Sequence, residues 1–154
     1  MAALALVAAL ALGTALVAEY GYGLQPCHLC LLQRLPYGAV LFLAGLGLLP
    51  AVPPEARRHI AFWCAALFAA DAALAAYHAG VEYKWWPGPT TCTGRQEFSL
   101  QSIAAALNRP GTISCEEAAI RVFGISMAGA NAIVCTVLAL VSAWAGTQNR
   151  FWKA

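Results

Sequence analysis

Charge is scarce in this chain. Only 10% of its 154 residues are Asp, Glu, Lys or Arg, against about 25% in an average soluble domain. The two lysines and seven arginines are scattered among seven acids, so the net charge of +2 comes with no basic stripe. Without such a stripe a protein cannot track a phosphate backbone, and a nucleic-acid-binding role is excluded. Internal repeats are missing, as are low-complexity tracts other than Ala-rich apolar segments. With 61% hydrophobic residues and a mean hydropathy of +0.66, the chain is the opposite of a disordered one and too apolar for a water-soluble one. It reads as one all-α membrane domain over residues 1–154.

Four segments are apolar enough to cross a hydrocarbon core about 30 Å thick: 2–18, 29–49, 60–78 and 125–144. The first also resembles a cleaved leader, with Gly13 and Ala15 in a small-x-small pattern, but no Lys or Arg precedes it. Pro50, Pro53 and Pro54 stop the second. Tyr20, Tyr22, Trp85, Trp86, Trp144 and Trp152 fall at the expected ends, where amphipathic rings prefer the headgroup region. Four spans put both termini and the turn 50–59 on one side, and Cys27 with the connection 79–124 on the other. Arg57, Arg58, Arg150 and Lys153 are denser on the first side than the five basic residues scattered over the second, which favours cytoplasmic termini.

Within the long connection, Leu100, Ile103, Ala104 and Leu107 make a short amphipathic helical stripe. It suits either an interfacial helix or one packed on the loop itself. Ser114 and Glu117 form an S-x-x-E capping box, so a further helix is expected to start at Cys115 and run toward Gly124.

Of six cysteines, Cys64 and Cys135 lie inside spans and read as small buried hydrophobes; Cys27, Cys30, Cys92 and Cys115 lie on one side of the membrane. Cys27-His28-Leu29-Cys30 is a C-x-x-C, but Leu31 after the second cysteine disfavours haem attachment. A zinc site would need Cys92, Cys115 or a histidine (His28 or His78) to complete four ligands. A redox dithiol needs a stabilised thiolate, and a pair opening an apolar helix has one in the helix N-terminus. Arg34 is four residues beyond Cys30 and shares its face; an arginine there is costly unless paired, at the interface or facing a polar cavity. Cys92 and Cys115 can close a loop as a disulfide, which calls for an oxidising compartment and hence a periplasmic face. Such a bond is either a static staple or half of a two-pair exchange relay. Asp71, seven residues from both Cys64 and His78, either hydrogen-bonds a neighbouring helix or helps deliver protons. Glu116 and Glu117 oppose a thiolate at Cys115, and the helix start expected there favours one.

The stretch from Cys27-His28-Leu29-Cys30 through Gln33-Arg34-Leu35-Pro36, the segment Tyr77-His78-Ala79-Gly80-Val81-Glu82 followed by Trp85-Trp86-Pro87 and Cys92, and Cys115 followed by Phe123-Gly124-Ile125-Ser126 together resemble the DsbB family, the disulfide bond formation proteins of bacterial inner membranes. Some members carry Glu at the position of Gln33, so no acid-base role is assigned to it. The resemblance implies a four-helix bundle with a long periplasmic loop that reoxidises a DsbA-like thioredoxin-fold protein and reduces a membrane quinone. It implies that Cys92 forms the mixed disulfide with that partner, Cys115 exchanges with Cys27, Cys30 meets the quinone, and Arg34 and His78 bind it. Competing readings are a membrane metal-binding protein using Cys27 and Cys30, a tetraspan structural protein, and a vitamin K epoxide reductase-like enzyme, a family that sets its motif in a different helical context.

Overall fold

The computed structural model describes residues 1–89, 114–118, 121–148 and 151–152. Helix α1 (Ala2–Leu16) runs on through a π turn (Val17–Gly21), followed by α2 (His28–Gly47), α3 (Pro54–Glu82), a minimal antiparallel pair β1 (Arg121–Val122) and β2 (Ile125–Ser126), and α4 (Met127–Thr147). Ala2–Gly21, His28–Gly47, Pro54–Glu82 and Met127–Thr147 are each long and apolar enough to cross a membrane. The expected four-helix membrane bundle is therefore the fold.

The boundaries moved where local chemistry overrode hydropathy. Helix α3 starts six residues before Ile60 because Pro54 occupies its N1 position, where a missing N–H breaks no helical bond. It also runs four residues past His78, so Ala79–Glu82 belong to the helix rather than to the connection. The first helix passes Ala18 and carries Glu19 into its last turn. Cys27 and Ser126 cap α2 and α4, their side chains accepting from the N–H groups of Cys30 and Gly129 at 3.2 and 3.1 Å.

Helix α3 is the central element, packed most extensively against α4 and then α2, while α1 leans on α2. Ala8, Tyr37, Val40, Cys64, Phe68 and Cys135 form the main core. A second cluster at one end joins Cys27 and Leu29 to Val81 and Cys115. Leu10, Phe42, Ile133 and Leu140 point outward and exposed, as lipid contact requires.

At that same end, α3 stops in a Schellman arrangement. Lys84 takes a left-handed conformation (φ 60°), its N–H bonding Val81 O at 3.0 Å, and the Trp85 N–H bonds Gly80 O at 2.9 Å. The chain then folds back so that Trp86 lies on Gly80, donates to Tyr77 O at 3.0 Å and stacks on the Tyr77 ring.

No helix begins at Cys115. Ser114 Oγ accepts from the Glu116 N–H at 3.1 Å, closing a hydroxyl turn two residues on instead of capping at the third. Cys115 and Glu116 form a turn, and the chain next makes the β1–β2 hairpin, whose two positive φ values at Phe123 (51°) and Gly124 (81°) define a type I′ turn. The stripe at 100–107 lies outside the described residues, as does Cys92.

Trp86 occupies the space that a Cβ at Gly80 would need, whereas Gly13 has open space around it. Gly80→Ala is expected to lower stability by about 1–3 kcal/mol and Gly13→Ala not to do so, read from thermal unfolding in detergent.

Candidate functional site

Cys27 and Cys30 are free thiols at the first turn of α2, and Cys27 is buried. Because Cys27 is the N-cap, its sulfur is the natural acceptor for the unsatisfied donors of that turn. The Cys30 thiol and N–H both donate to it, and His78 Nε2 lies 3.6 Å away. These bonds outweigh burial, and the Cys27 thiol is brought down from about 9 to about 4. The thiolate of the pair therefore sits on Cys27. Arg34, on the Cys30 face, is not free for the thiolate: its Nη1 donates to Glu19 Oε2 at 2.5 Å, tying the end of α1 to α2.

His78 is buried, held between two helices. Gln33 Nε2 contacts its Nδ1 at 2.9 Å, and Glu82 Oε1 lies 3.7 Å from its Nε2. The polar contacts continue inward. Asn131 of α4 donates to Gln33 Oε1 at 2.9 Å and to Asp71 Oδ2 at 3.2 Å. The Tyr37 hydroxyl donates to Asn131 Oδ1 at 2.7 Å, and the Cys135 thiol to Asp71 Oδ2 at 3.2 Å. Asp71 thus bonds a neighbouring helix, and Cys135 is more than a packing residue.

A cavity of about 430 Å³ opens between α1, α2 and α4. Ala11, Leu12, Ala15 and Val134 make it apolar along its length, and Cys30, Arg34 and His78 gather at one end. Arg34 Nε is buried without a hydrogen-bond partner among the described residues. A mostly apolar cavity that also carries a thiol, an imidazole and a guanidinium suits a lipophilic carbonyl compound.

Four of the six expected site residues, Cys27, Cys30, Arg34 and His78, line this one cavity. Cys115 does not line it but is buried in the cluster with Cys27, and it is disulfide-bonded. The ligand atoms of Cys27, Cys30 and His78 lie within 4.8 Å of one another, so the reduced pair also makes three candidate ligands for a soft divalent ion; His28 is exposed and takes no part.

The family profile described as disulfide bond formation protein DsbB matches residues 1–145. The chain belongs to the DsbB family. Disulfide bond formation protein B of Actinobacillus pleuropneumoniae is 31% identical over 132 residues, covering 80% of this chain and 71% of that protein. An uncharacterized protein of Rickettsia prowazekii is 27% identical over 140 residues, covering 87% of this chain and 80% of that one. No solved structure matches. Family membership makes this a multi-pass membrane protein of disulfide bond formation.

For this DsbB-family chain, sequence reasoning overlooked Glu19, Glu82 and Asn131 and assigned Gln33 and Tyr37 no role. The available signal was pairwise. Glu19 just beyond one span and Arg34 just inside the next are opposite charges at the same membrane depth, and Asp71 and Asn131 are costly polar groups in adjacent packed spans.

The pH behaviour of the reduced pair tests the assignment of the thiolate. With its thiol near 4, Cys27 is charged at neutral pH and becomes protonated only as the pH falls through about 4. The ultraviolet thiolate absorbance of reduced protein is expected to persist to about pH 5, to vanish with a midpoint near 4, and to be lost in Cys27→Ser. A midpoint near 9 would contradict it.

Proposed function

We propose that this protein reoxidises a periplasmic DsbA-like thiol oxidase of thioredoxin fold and passes the electrons through two cysteine pairs to a membrane quinone. In this reading it lies in the bacterial inner membrane, with both termini cytoplasmic and the redox end periplasmic. The observation that carries the proposal is the meeting, at one end of the bundle, of buried Cys27 and disulfide-bonded Cys115 with a cavity that Cys30, Arg34 and His78 close off.

The exchange steps follow from these positions. A thiolate of the reduced partner attacks Cys92 of a Cys92–Cys115 disulfide, forming a mixed disulfide and releasing Cys115 as thiolate. Resolution by the partner's second thiolate frees Cys92 and leaves the partner oxidised. Cys115 attacks Cys27 of a Cys27–Cys30 disulfide, forming Cys27–Cys115 and releasing Cys30 as thiolate at the cavity. Cys92 then attacks Cys115, restoring the loop disulfide and leaving Cys27 as the second thiolate. A leaving thiol that is easily ionised speeds such an exchange, and the donors around Cys27 supply that property in the last step, where Cys27 leaves.

Cys30, Arg34 and His78 would hold a quinone, which when bound accepts two electrons and two protons. The Arg34 guanidinium, which lines the cavity, would stabilise an oxygen that becomes electron-rich. Its pairing with Glu19 keeps the planar group in place. Ala11, Leu12, Ala15 and Val134 keep the slot dry. A metal-binding reading draws on the three clustered ligands, but Cys115 is occupied in a disulfide and His28 is exposed, so neither can supply the fourth.

The deciding experiment is anaerobic quinone reduction by purified protein given a reduced DsbA-like partner. Wild type is expected to turn over, and Cys30→Ser and Cys92→Ser to stop. Equal inactivity of all three with several quinones and partners would move the metal-binding or structural reading ahead. Activity retained by Cys92→Ser alone would overturn the two-pair relay.

A further inference from the structure

The polar contacts between Asp71 and Cys27 have one consistent direction. Asp71 Oδ2 receives the Cys135 thiol at 3.2 Å, so the Asn131 group facing the same oxygen is the amide NH2, at 3.2 Å. With its NH2 turned that way, Asn131 presents Oδ1 to the Tyr37 hydroxyl at 2.7 Å and donates to Gln33 Oε1 at 2.9 Å. Gln33, its oxygen engaged, turns its own NH2 to His78 Nδ1 at 2.9 Å. A ring nitrogen that faces an NH2 must be an acceptor, so it carries no proton. The opposite side of the ring agrees. Two acceptors face Nε2: the Cys27 sulfur at 3.6 Å and Glu82 Oε1 at 3.7 Å, and Glu82 Oε2 is buried without a partner among the described residues. The Nε2–H form suits both sides, with its one proton toward the Cys27 sulfur and the Glu82 carboxylate nearby, whereas an Nδ1–H form would oppose two donors at Nδ1 and leave Nε2 with no proton to offer the acceptors.

We propose that Asp71, Asn131 and Gln33 are positioning residues that hold His78 in the Nε2–H tautomer, aimed at Cys27. Amides cannot hand a proton along without rearranging their bonds, so this chain is a tautomer lock and not a proton wire. Asp71 sets its polarity from helix α3, two turns from His78 and with no direct bond to it. The inference adds to the proposed redox function a reason for polar groups deep in the bundle. The tautomer itself stands whether or not the protein reduces a quinone.

The test is nitrogen NMR of protein labelled with 15N-histidine, in micelles and with the C-x-x-C reduced. His28 and His59 are the other two histidines, and His78→Asn assigns the third signal. Wild type is expected to show a bare Nδ1 and a protonated Nε2, favoured roughly tenfold or more, since one buried hydrogen bond is worth about that factor. Gln33→Glu replaces the donor by an acceptor and is expected to bring a proton onto Nδ1. Asp71→Leu removes the carboxylate with little change in volume and frees the Asn131 and Cys135 donors that it served. It is expected to let the two amides turn over and the second tautomer appear. A protonated Nδ1 in wild type would overturn the proposal, as would an unchanged tautomer in folded Asp71→Leu and Gln33→Glu proteins. Because the readout is the ring itself, loss of quinone activity alone cannot be mistaken for failure of the lock.

Discussion

A polar side chain on a membrane-spanning helix has no water to turn to, so it must find its partner on another helix. That requirement arranges this bundle. Asp71 on α3 is served by donors from α4, the Asn131 amide and the Cys135 thiol. Asn131 in turn needs two further partners and draws in Gln33 and Tyr37 from α2. Three helices are thereby registered against one another by bonds that a slide of one turn would break, while the alanines around them set only an approximate separation. Apolar packing holds such helices together; the polar contacts specify which faces meet.

The same requirement acts at the ends of the helices. The first turn of α2 exposes unsatisfied N–H groups, and the residue at its N-cap is a cysteine. Placing a sulfur where serine or aspartate usually sits turns a structural need into a chemical property, because the donors that complete the helix also stabilise a thiolate. Burial of Cys27 works against the charge, so the site rests on a balance in which the Cys30 thiol, His78 and the Cys30 N–H together prevail. The Glu19–Arg34 pair solves the corresponding problem for the arginine, and it explains why α1 continues beyond its last apolar residue.

The fold was legible from hydropathy because a membrane span is defined by length and apolarity alone. Its ends were less so, since hydropathy does not register that Pro54 can begin a helix or that Glu19 can be neutralised from the next one. The C-x-x-C, Arg34 and His78 were readable as a site because local spacing and motif context carry them. Cys115 was grouped with Cys27, and the structure buries the two together; it was placed wrongly at the start of a helix, since an S-x-x-E pattern fits both a cap and a hydroxyl turn, and the adjoining hairpin decided for the turn. Gln33 and Asn131 were illegible for a different reason. Their partners are 98 residues apart in sequence, and nothing local to either residue announces the other.

The separation between the conducting and the supporting groups has a physical basis. The proposed sulfur exchange needs atoms that can approach and part, and Cys27, Cys30 and Cys115 sit at a helix end and in a turn, where the backbone has that latitude. Orientation needs the reverse, and the groups that fix His78 come from the middle of long helices locked by packing on several sides. His78 is the joint between the two regimes. It stands one turn from the end of α3, bonded at Nδ1 to Gln33 and facing the Cys27 sulfur at Nε2. In the proposed relay the cysteine pair at this end of the bundle can therefore move without losing the direction of the donor that His78 supplies.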